Sequence, residues 1–200
     1  MKHLIGNIMA VALILCSCAE HHETNLLDNT IYTEKNKSIK DTVYSKELVR
    51  ALKSQALDIM NLYATMTPAK LERYTPSFAI DWMLQQLPNM NKKQVIAHLI
   101  ESTKEQKIQL NKDIQRLGVR MAQEVKDSIR MFTVNDSLLF ANFELSSYYM
   151  YKDKKNEALS QIISISSDSG KHWQFIDKDS CREALELEFG KQTSNTIMNK

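Results

Sequence analysis

The sequence has few of the residues on which common catalytic and metal-binding motifs depend. It contains four glycines and three cysteines in 200 residues, and it has no phosphate-binding loop, no paired-cysteine metal site and no nucleophile elbow. No internal repeat is visible either. The sequence therefore predicts no cofactor and no specific catalytic activity, and an enzymatic function is the less favoured interpretation.

An excess of charge of one sign is also missing. Lys and Arg number 26 against 24 Asp and Glu, which gives a formal net charge of +2. A nearly neutral chain does not provide the strongly basic surface that nucleic-acid backbones attract, so no nucleic-acid partner is expected.

The sequence lacks a hydrophobic run long enough to cross a membrane. Its longest apolar segment has twelve residues, from Leu4 to Leu15, and is interrupted by Gly6 and Asn7. As a helix this segment would extend about 18 Å, well short of the roughly 30 Å of a hydrocarbon core. A short apolar segment behind Lys2 is instead typical of a signal peptide.

The end of this segment, Leu15-Cys16-Ser17-Cys18, resembles the lipobox of bacterial lipoproteins. A lipobox consists of an aliphatic residue, a small residue, a Gly, Ala or Ser, and the cysteine that becomes acylated, and Cys16 departs from it at the second position. Acylation of Cys16 instead would require cleavage after Leu15, where a small side chain is needed. Cys18 is therefore the predicted lipidation site, and a secretory signal with a soluble product is the alternative.

The lipoprotein resemblance implies processing and a location. Residues 1–17 would be removed, and Cys18 would carry acyl chains such as palmitate, whose burial at about 0.8 kcal/mol per methylene gives a durable anchor. Ala19 stands where many inner-membrane lipoproteins have Asp. The resemblance thus favours the outer membrane of a Gram-negative bacterium, facing the periplasm or the surface. Cys181 would be the one other cysteine of the mature chain, and no intramolecular disulfide is expected.

Behind the signal peptide the chain divides into three parts. Residues 18–43 are polar without sustained periodicity and predict a lipidated N-terminus and flexible tether, residues 44–190 predict a single domain, and residues 191–200 predict a frayed tail. Helix-start signals fill the first half of the domain. They are Ser45, Thr67-Pro68, Thr75-Pro76 and a capping box of Asn91 and Gln94, with the last of these helices expected to end near Leu110.

The second half of the domain has the alternation of strands. Strands are predicted at 119–126, 129–134, Leu138–Tyr151, 158–167 and 173–176, and a capping box of Ser180 and Glu183 then begins a short C-terminal helix. Helices followed by an antiparallel meander indicate the α+β class, with the N-terminal helices packed on a curved sheet.

The order of these elements over residues 45–177 resembles the nuclear transport factor 2-like superfamily, in which a curved sheet wraps around helices as a cone. Long strands and an aromatic last strand, Trp173 to Asp177, contribute to the resemblance. The chain departs from the superfamily because it lacks an obvious helix between the early strands. The resemblance implies a pocket between helices and sheet, which some members use for catalysis and many for binding.

Glu144 is the acidic residue that would lie in such a pocket. Asn142 and Tyr148 follow the same face of the predicted strand. A buried carboxylate there could act as a general acid or base, with Asp81 or Trp82 opposite. The alternative is that Glu144 lies on an outward polar face.

Residues 166–173 contain the pattern S-x-D-x-G-x-x-W, which resembles the Asp-box of sialidase propellers. In that motif the Asp accepts backbone hydrogen bonds in a hairpin turn, the Gly adopts a conformation that other residues avoid, and the Trp packs beneath. A propeller needs several copies in a longer chain, and this chain has one. Asp168, Gly170 and Trp173 are therefore predicted to form a structural turn.

Three other groups of polar residues are interpreted as structural or solvent-exposed. The Glu-His-His-Glu run at 20–23 would lie on the tether without a pre-formed metal geometry. His98 and Glu101 fall one ligand pair short of a metal motif. Cys181 would begin a helix, where a thiol can be activated, but no His is placed to pair with it. No metal site is predicted.

Together these features predict a lipid-anchored envelope protein whose domain binds a small ligand or another envelope protein without catalysis. The alternative is a small enzyme of the cone fold that uses Glu144 or Asp81 as its acid or base. The membrane, reached through the lipid on Cys18, is a partner in either case.

Overall fold

Four helices, a set of strands and two further helices follow one another along the described part of the chain after a short first strand. The computed structural model describes residues 39–41, 44–62, 65–151 and 154–200. The elements are β1 (Ile39–Asp41), α1 (Lys46–Leu62), α2 (Pro68–Tyr74), α3 (Ser77–Gln86), α4 (Lys92–Leu117), β2 (Met121–Val125), β3 (Arg130–Val134), β4 (Leu138–Tyr151), β5 (Lys154–Ser166), β6 (Gln174–Asp177), α5 (Arg182–Phe189) and α6 (Lys191–Asn199). This order confirms the α+β class. Most of the predicted tether lies outside the described residues, but its end forms β1.

Side-chain caps explain where the first two helices begin. The Ser45 hydroxyl accepts the N–H of Leu48 at 3.2 Å before α1. The Thr67 hydroxyl accepts the N–H of Lys70 at 3.3 Å before α2, which Pro68 opens. Each cap satisfies an N–H group that the first helical turn leaves without a partner, as the sequence predicted.

The predicted capping box begins the longest helix, α4. Asn91 N–H donates to Gln94 Oε1 at 2.8 Å, and Gln94 N–H donates to Asn91 Oδ1 at 3.0 Å. The helix continues beyond the expected end near Leu110 and stops at Gly118, whose φ of 63° is left-handed. Glycine adopts that conformation without the steric cost of a side chain, which explains the position of the end.

Both α3 and α5 are present as predicted, but the predicted N-cap residues, Thr75 and Ser180, are wrong. Thr75 ends α2, with its N–H on Leu71 O at 2.9 Å, and Pro76 takes the capping position of α3. Ser180 donates both its N–H and its hydroxyl to Asp177 Oδ1, at 2.9 and 2.8 Å, and so does not cap α5. A carboxylate three residues earlier in the chain competes successfully for the serine.

The predicted frayed tail is also wrong, because residues 191–199 form α6 with Ile197 and Met198 buried. Tertiary hydrogen bonds hold this polar helix. Asn142 Nδ2 donates to Ile197 O at 2.7 Å, and an Arg130 guanidinium N–H donates to Lys200 O at 2.8 Å.

Strand β4 is the centre of a six-stranded antiparallel sheet in the described chain. β3 pairs with its residues 138–142, and β2 pairs with its residues 145–149. β5 pairs with β4 over its whole length and therefore begins at Lys154, earlier than predicted. β6 extends the sheet beyond β5, and β1 extends it beyond β3. The predicted limits of Leu138–Tyr151 are confirmed.

The register divides the side chains of β4 between two faces of the sheet. On one face, side chains such as Phe143, Leu145 and Tyr149 are buried along the strand. On the other face, Phe140 and Asn142 are buried, but burial becomes partial at Glu144. This second face positions the candidate site.

The second face has a covered half and an exposed half. In the covered half Phe140 stacks on Phe132 and meets Phe189 of α5 edge to face, each with ring centroids 5.5 Å apart. Along β5, residues 162–166 are all buried, whereas burial alternates from Glu157 to Gln161 because only one face is covered there. The exposed half is defined by Glu124, Glu144, Tyr148, Met150, Lys155, Glu157, Leu159 and Gln161.

Candidate functional site

An ordered ion network occupies the middle of the exposed half. The Glu157 carboxylate accepts from Lys126 Nζ at 3.0 Å, from Lys155 Nζ at 3.1 Å and from the hydroxyl of Ser146. Lys126 also pairs with Glu124. The strand register brings these groups together, because Ser146 lies opposite Glu124 on β2 and opposite Leu159 on β5.

The network shifts the proton affinities of its members. Hydrogen bonds from Ser146, then from Lys126 and Lys155, lower the pKa of Glu157 from 4.5 to about 2. Hydrogen bonds to Glu124 and Glu157 raise the pKa of Lys126. The charges are therefore fixed at physiological pH. Because water screens such pairs, they organise the surface more than they stabilise the fold.

Apolar and aromatic groups lie beside these charges. Lys155 Nζ lies 4.3 Å from the centroid of the Tyr148 ring, a cation–π distance. Met150 is 52% exposed and Leu159 is 47% exposed. Large apolar side chains that face water next to oriented charges are typical of protein interaction surfaces.

Glu144 lies at the border between the two halves. It is half-buried, and its backbone carbonyl accepts the N–H of Lys126 at 2.9 Å. Gln161 lies opposite on β5 and accepts from Lys178 Nζ at 2.9 Å. The Glu144 carboxylate itself makes no hydrogen bond or ion pair with another described residue.

Asn142, which was predicted to line a pocket, makes a structural contact with helix α6. Its amide nitrogen holds the end of α6 through Ile197 O. Its Oδ1 atom is buried, and no described group donates to it. Asn142 therefore fixes the limit of the covered half, two residues from Glu144 on the same face.

The other pocket candidates lie on α3. Asp81 is exposed there, whereas Trp82 is buried in the core. Within the described ranges, no hydrogen bond or ion pair joins Asp81 to Glu144. The structure thus provides no direct contact through which these two carboxylates would share a proton.

Residues 166–173 form the turn between β5 and β6. Asp168 Oδ1 accepts from the hydroxyl of Ser166 at 2.8 Å and from the N–H of His172 at 2.9 Å, and its Oδ2 atom lies 2.6 Å from His172 Nδ1. The hydrogen bonds from His172 lower the pKa of Asp168. The Ser166 hydroxyl oxygen accepts the N–H of Gly170 at 2.8 Å, which closes the turn.

This turn also fixes helix α1. Gln55 accepts the N–H of Trp173 at 3.0 Å and donates to Lys171 O at 3.0 Å. Gly170 has a φ of +86°, and a Cβ atom there would lie 2.0 Å from Leu48 Cδ1. Since Trp173 is fully buried, the residues of the Asp-box pattern form a packing junction between this turn and α1.

Cys181 is the one cysteine among the described residues. Cys181 is fully buried before α5 and is disulfide-bonded, and its partner lies outside the described residues. The expectation of no intramolecular disulfide concerns the processed chain, from which Cys16 is removed and in which Cys18 is acylated, and for that chain it stays a prediction. The predicted lipidation site, Cys18, lies outside the described residues as well.

Sequence reasoning missed the ion network. Neither Lys126, Lys155 nor Glu157 was a candidate, although the alternation of residues 157–161 indicates that Glu157 faces water. Their convergence depends on the register of three strands. A register between distant strands has no local sequence signal.

Neither a cluster of metal ligands among the described residues nor a related protein identifies the function of this site. Within the described ranges, no group of three or more His, Cys, Asp or Glu residues could hold a metal ion, and His98 and Glu101 are exposed on α4. The run at 20–23 lies outside these ranges. No helix in the described part combines the length and apolar character needed to span a membrane. Comparisons with protein-family models, curated proteins and solved structures found no match to this chain.

Proposed function

We propose that this protein is held at the outer membrane by a lipid on Cys18 and that its domain binds another envelope protein through the exposed half of the sheet. The anchor is inferred from Leu15-Cys16-Ser17-Cys18 at the end of a short apolar segment. The binding role is inferred from one observation above all. Met150 and Leu159 are about half exposed beside a fixed ion network on the same sheet face.

The position of β1 supports this arrangement. Ile39 pairs with Val134, which pairs with Leu138 at the start of β4. Met150 lies twelve residues further along the strand, a distance of about 40 Å at 3.3 Å per residue. The chain from the anchor therefore joins the domain at one end of the sheet, and the exposed half lies towards the other end. A tether of 21 residues, 18–38, would add a root-mean-square reach of about 25 Å.

The enzymatic alternative, a small cone-fold enzyme, draws support from Glu144. Its half-buried carboxylate has no described partner and lies two residues from the buried Oδ1 of Asn142. A catalytic site, however, gains most of its electrostatic advantage from the exclusion of water. Met150 and Leu159 leave this face open, which favours binding.

Fractionation of cells tests the anchor. Cys18→Ser should move the protein from the membrane fraction to the soluble fraction and remove the lipid label, because the thiol that carries the thioether is lost. Cys16→Ser is the matched control and should keep both. Label retained in Cys18→Ser would contradict the assignment, and so would a Cys181 disulfide within the membrane-extracted chain, because acylation consumes the Cys18 thiol and cleavage removes Cys16.

Site-specific photocrosslinking in cells tests the binding surface. A photoreactive residue in place of Met150 should give a discrete crosslinked product with one envelope protein. The same residue in place of Ile108, which is 54% exposed on α4, is the matched control and should give none. Equal crosslinking from both positions would contradict a specific surface on the exposed half.

A further inference from the structure

Strand β5 extends beyond the strand that covers its outer edge. β6 pairs with Ile162 to Ile165, and the N–H of Lys178 then donates to Gln161 O at 2.8 Å. After this bond the chain turns away towards α5. Among the described strands, residues 154–160 of β5 have β4 on one side and none on the other.

The direction of the backbone groups at this edge follows from that last hydrogen bond. In an antiparallel strand the N–H and C=O of one residue point to the same side, and the side alternates along the chain. Gln161 points to the β6 side, so the N–H and C=O groups of Lys155, Glu157 and Leu159 point out of the sheet there. The backbone of Ala158 points to β4. An edge with three outward residues in register is a template for a further strand.

The side chains at this edge define what kind of strand it favours. Leu159 presents an exposed apolar surface, and the Glu157 carboxylate is turned towards Lys126 and Ser146. The cations along the edge are Lys154 and Lys155, both exposed, and Lys155 also pairs with Glu157 at 3.1 Å. Two like edges that carry lysines repel each other, which disfavours a second copy of this chain. Carboxylates opposite the lysines are favourable.

We propose that an extended, carboxylate-bearing segment of the partner protein adds to the sheet as a strand beside residues 155–159 of β5. This proposal rests on the proposed function, because it specifies how the partner binds the exposed half. The main-chain groups of Lys155, Glu157 and Leu159 would pair with the segment, and its alternate side chains would contact Leu159 and Lys155. Strand addition of this kind takes affinity from the backbone and specificity from the flanking side chains.

A proline at an outward position separates strand addition from other modes of binding. Leu159→Pro removes an N–H that faces the open edge and keeps the pairing with β4, which edge strands tolerate. Leu159→Thr is the matched control, because it removes the apolar side chain and keeps the N–H. Lys155→Pro removes the equivalent outward N–H four residues earlier on β5. It provides a second variant if Leu159→Pro does not fold.

The measurement uses the full chain and two labelled, capped heptapeptides in fluorescence anisotropy. Glutamate alternates with valine in one peptide, and lysine alternates with valine in the other. The wild type and Leu159→Thr should bind the glutamate peptide, whereas the proline variants should bind it about tenfold more weakly or not at all. The lysine peptide should also bind about tenfold more weakly to the wild type.

Four results would overturn the proposal. They are the absence of saturable binding of the glutamate peptide up to about 1 mM, equal binding by the proline variants and Leu159→Thr, equal binding of the two peptides, and self-association of the chain that Leu159→Pro abolishes. The last would assign the edge to a second copy. If Leu159→Pro still crosslinks through position 150, the exposed half remains a binding surface and only strand addition is excluded.

Discussion

The two halves of one sheet face differ in what covers them, although the same strands run through both. In the covered half, α5 and α6 seal Phe140 and Asn142, and hydrogen bonds to Ile197 O and Lys200 O hold the end of the chain in place. In the exposed half the chain has no helix left to provide a cover within the described residues. The charged groups there, which come from β2, the residue after it and β5, pair with one another at the surface.

The covered half contributes most of the stability of this sheet face, and the exposed half contributes little. Burial of an aromatic side chain such as Phe140 contributes several kcal/mol, whereas solvent-exposed ion pairs contribute little. The exposed half can therefore change without loss of the fold, and this property suits a surface that binds a partner.

The largest difference in stability between the two halves is expected for two aromatic residues of β4 that lie on the same face. Phe140→Ala should lower the free energy of unfolding by about 3–5 kcal/mol, because it leaves a cavity between Phe132 and Phe189. Tyr148→Ala should lower it by less than about 1 kcal/mol. Urea unfolding of both variants measures the two values. Similar losses would show that the exposed half is as tightly packed as the covered half.

Alanine substitutions of two glycines test how tightly the turn between β5 and β6 packs on α1. Gly170→Ala should cost about 2–3 kcal/mol, because a left-handed residue acquires a Cβ atom that meets Leu48. Gly118→Ala has a similar φ of 63° but no atom within 4 Å of the added Cβ, and should cost about 1 kcal/mol. Thermal or urea unfolding separates the two. Equal costs would mean that Leu48 moves aside without loss of packing.

Asn142 and Glu144 test the border between the halves. Asn142→Ala should cost about 1–2 kcal/mol, because the carbonyl of Ile197 loses its donor in a buried position. Glu144→Gln should change the free energy of unfolding by less than about 0.5 kcal/mol. The same urea titrations give both values. A large effect of Glu144→Gln would indicate that this carboxylate belongs to the covered half.

The smallest effects concern pH and have opposite signs for two carboxyl groups. The lowered pKa of Glu157 means that its charged form stabilises the fold above its unfolded value of 4.5, and this contribution is lost as the pH falls towards 2. Burial raises the pKa of Asp177 above 3.8, so the folded state favours its protonated form, and the contribution of Asp177 is lost as the pH rises.

Unfolding curves of Glu157→Gln and Asp177→Asn between pH 7 and pH 2 measure these slopes against the wild type. The advantage of the wild type over Glu157→Gln should shrink below pH 4.5. Relative to Asp177→Asn, the wild type should gain stability as the pH falls. Slopes of the same sign would contradict the assigned causes.

The parts of this fold that sequence predicts are those with local causes. Asn91 and Gln94 satisfy each other within one turn, so their capping box is visible in the sequence. The limits of β4 follow from alternation and from the turn at Asn135 and Asp136, both with positive φ. Ser180 illustrates the limit of this reasoning, because Asp177 and Glu183 offer it two local partners and only the fold selects one.

The remainder depends on contacts between distant segments. Helix α6 is polar in sequence, and it is held by the burial of Ile197 and Met198 and by hydrogen bonds from Asn142 and Arg130 in the sheet. The candidate site follows the same rule. Glu144 was identified from its strand pattern, but the network around Glu157 depends on the pairing of β4 with both β2 and β5.

Oxidation of Met150 in intact membranes tests the binding surface most directly, because it uses the unmodified chain. Met150 is 52% exposed, so hydrogen peroxide should convert it to the sulfoxide readily in the purified protein. If a partner covers the exposed half, mass spectrometry should show about threefold slower oxidation of Met150 in membranes, with no change at Met90 between α3 and α4. Equal oxidation of Met150 in membranes and in the purified protein would contradict the account.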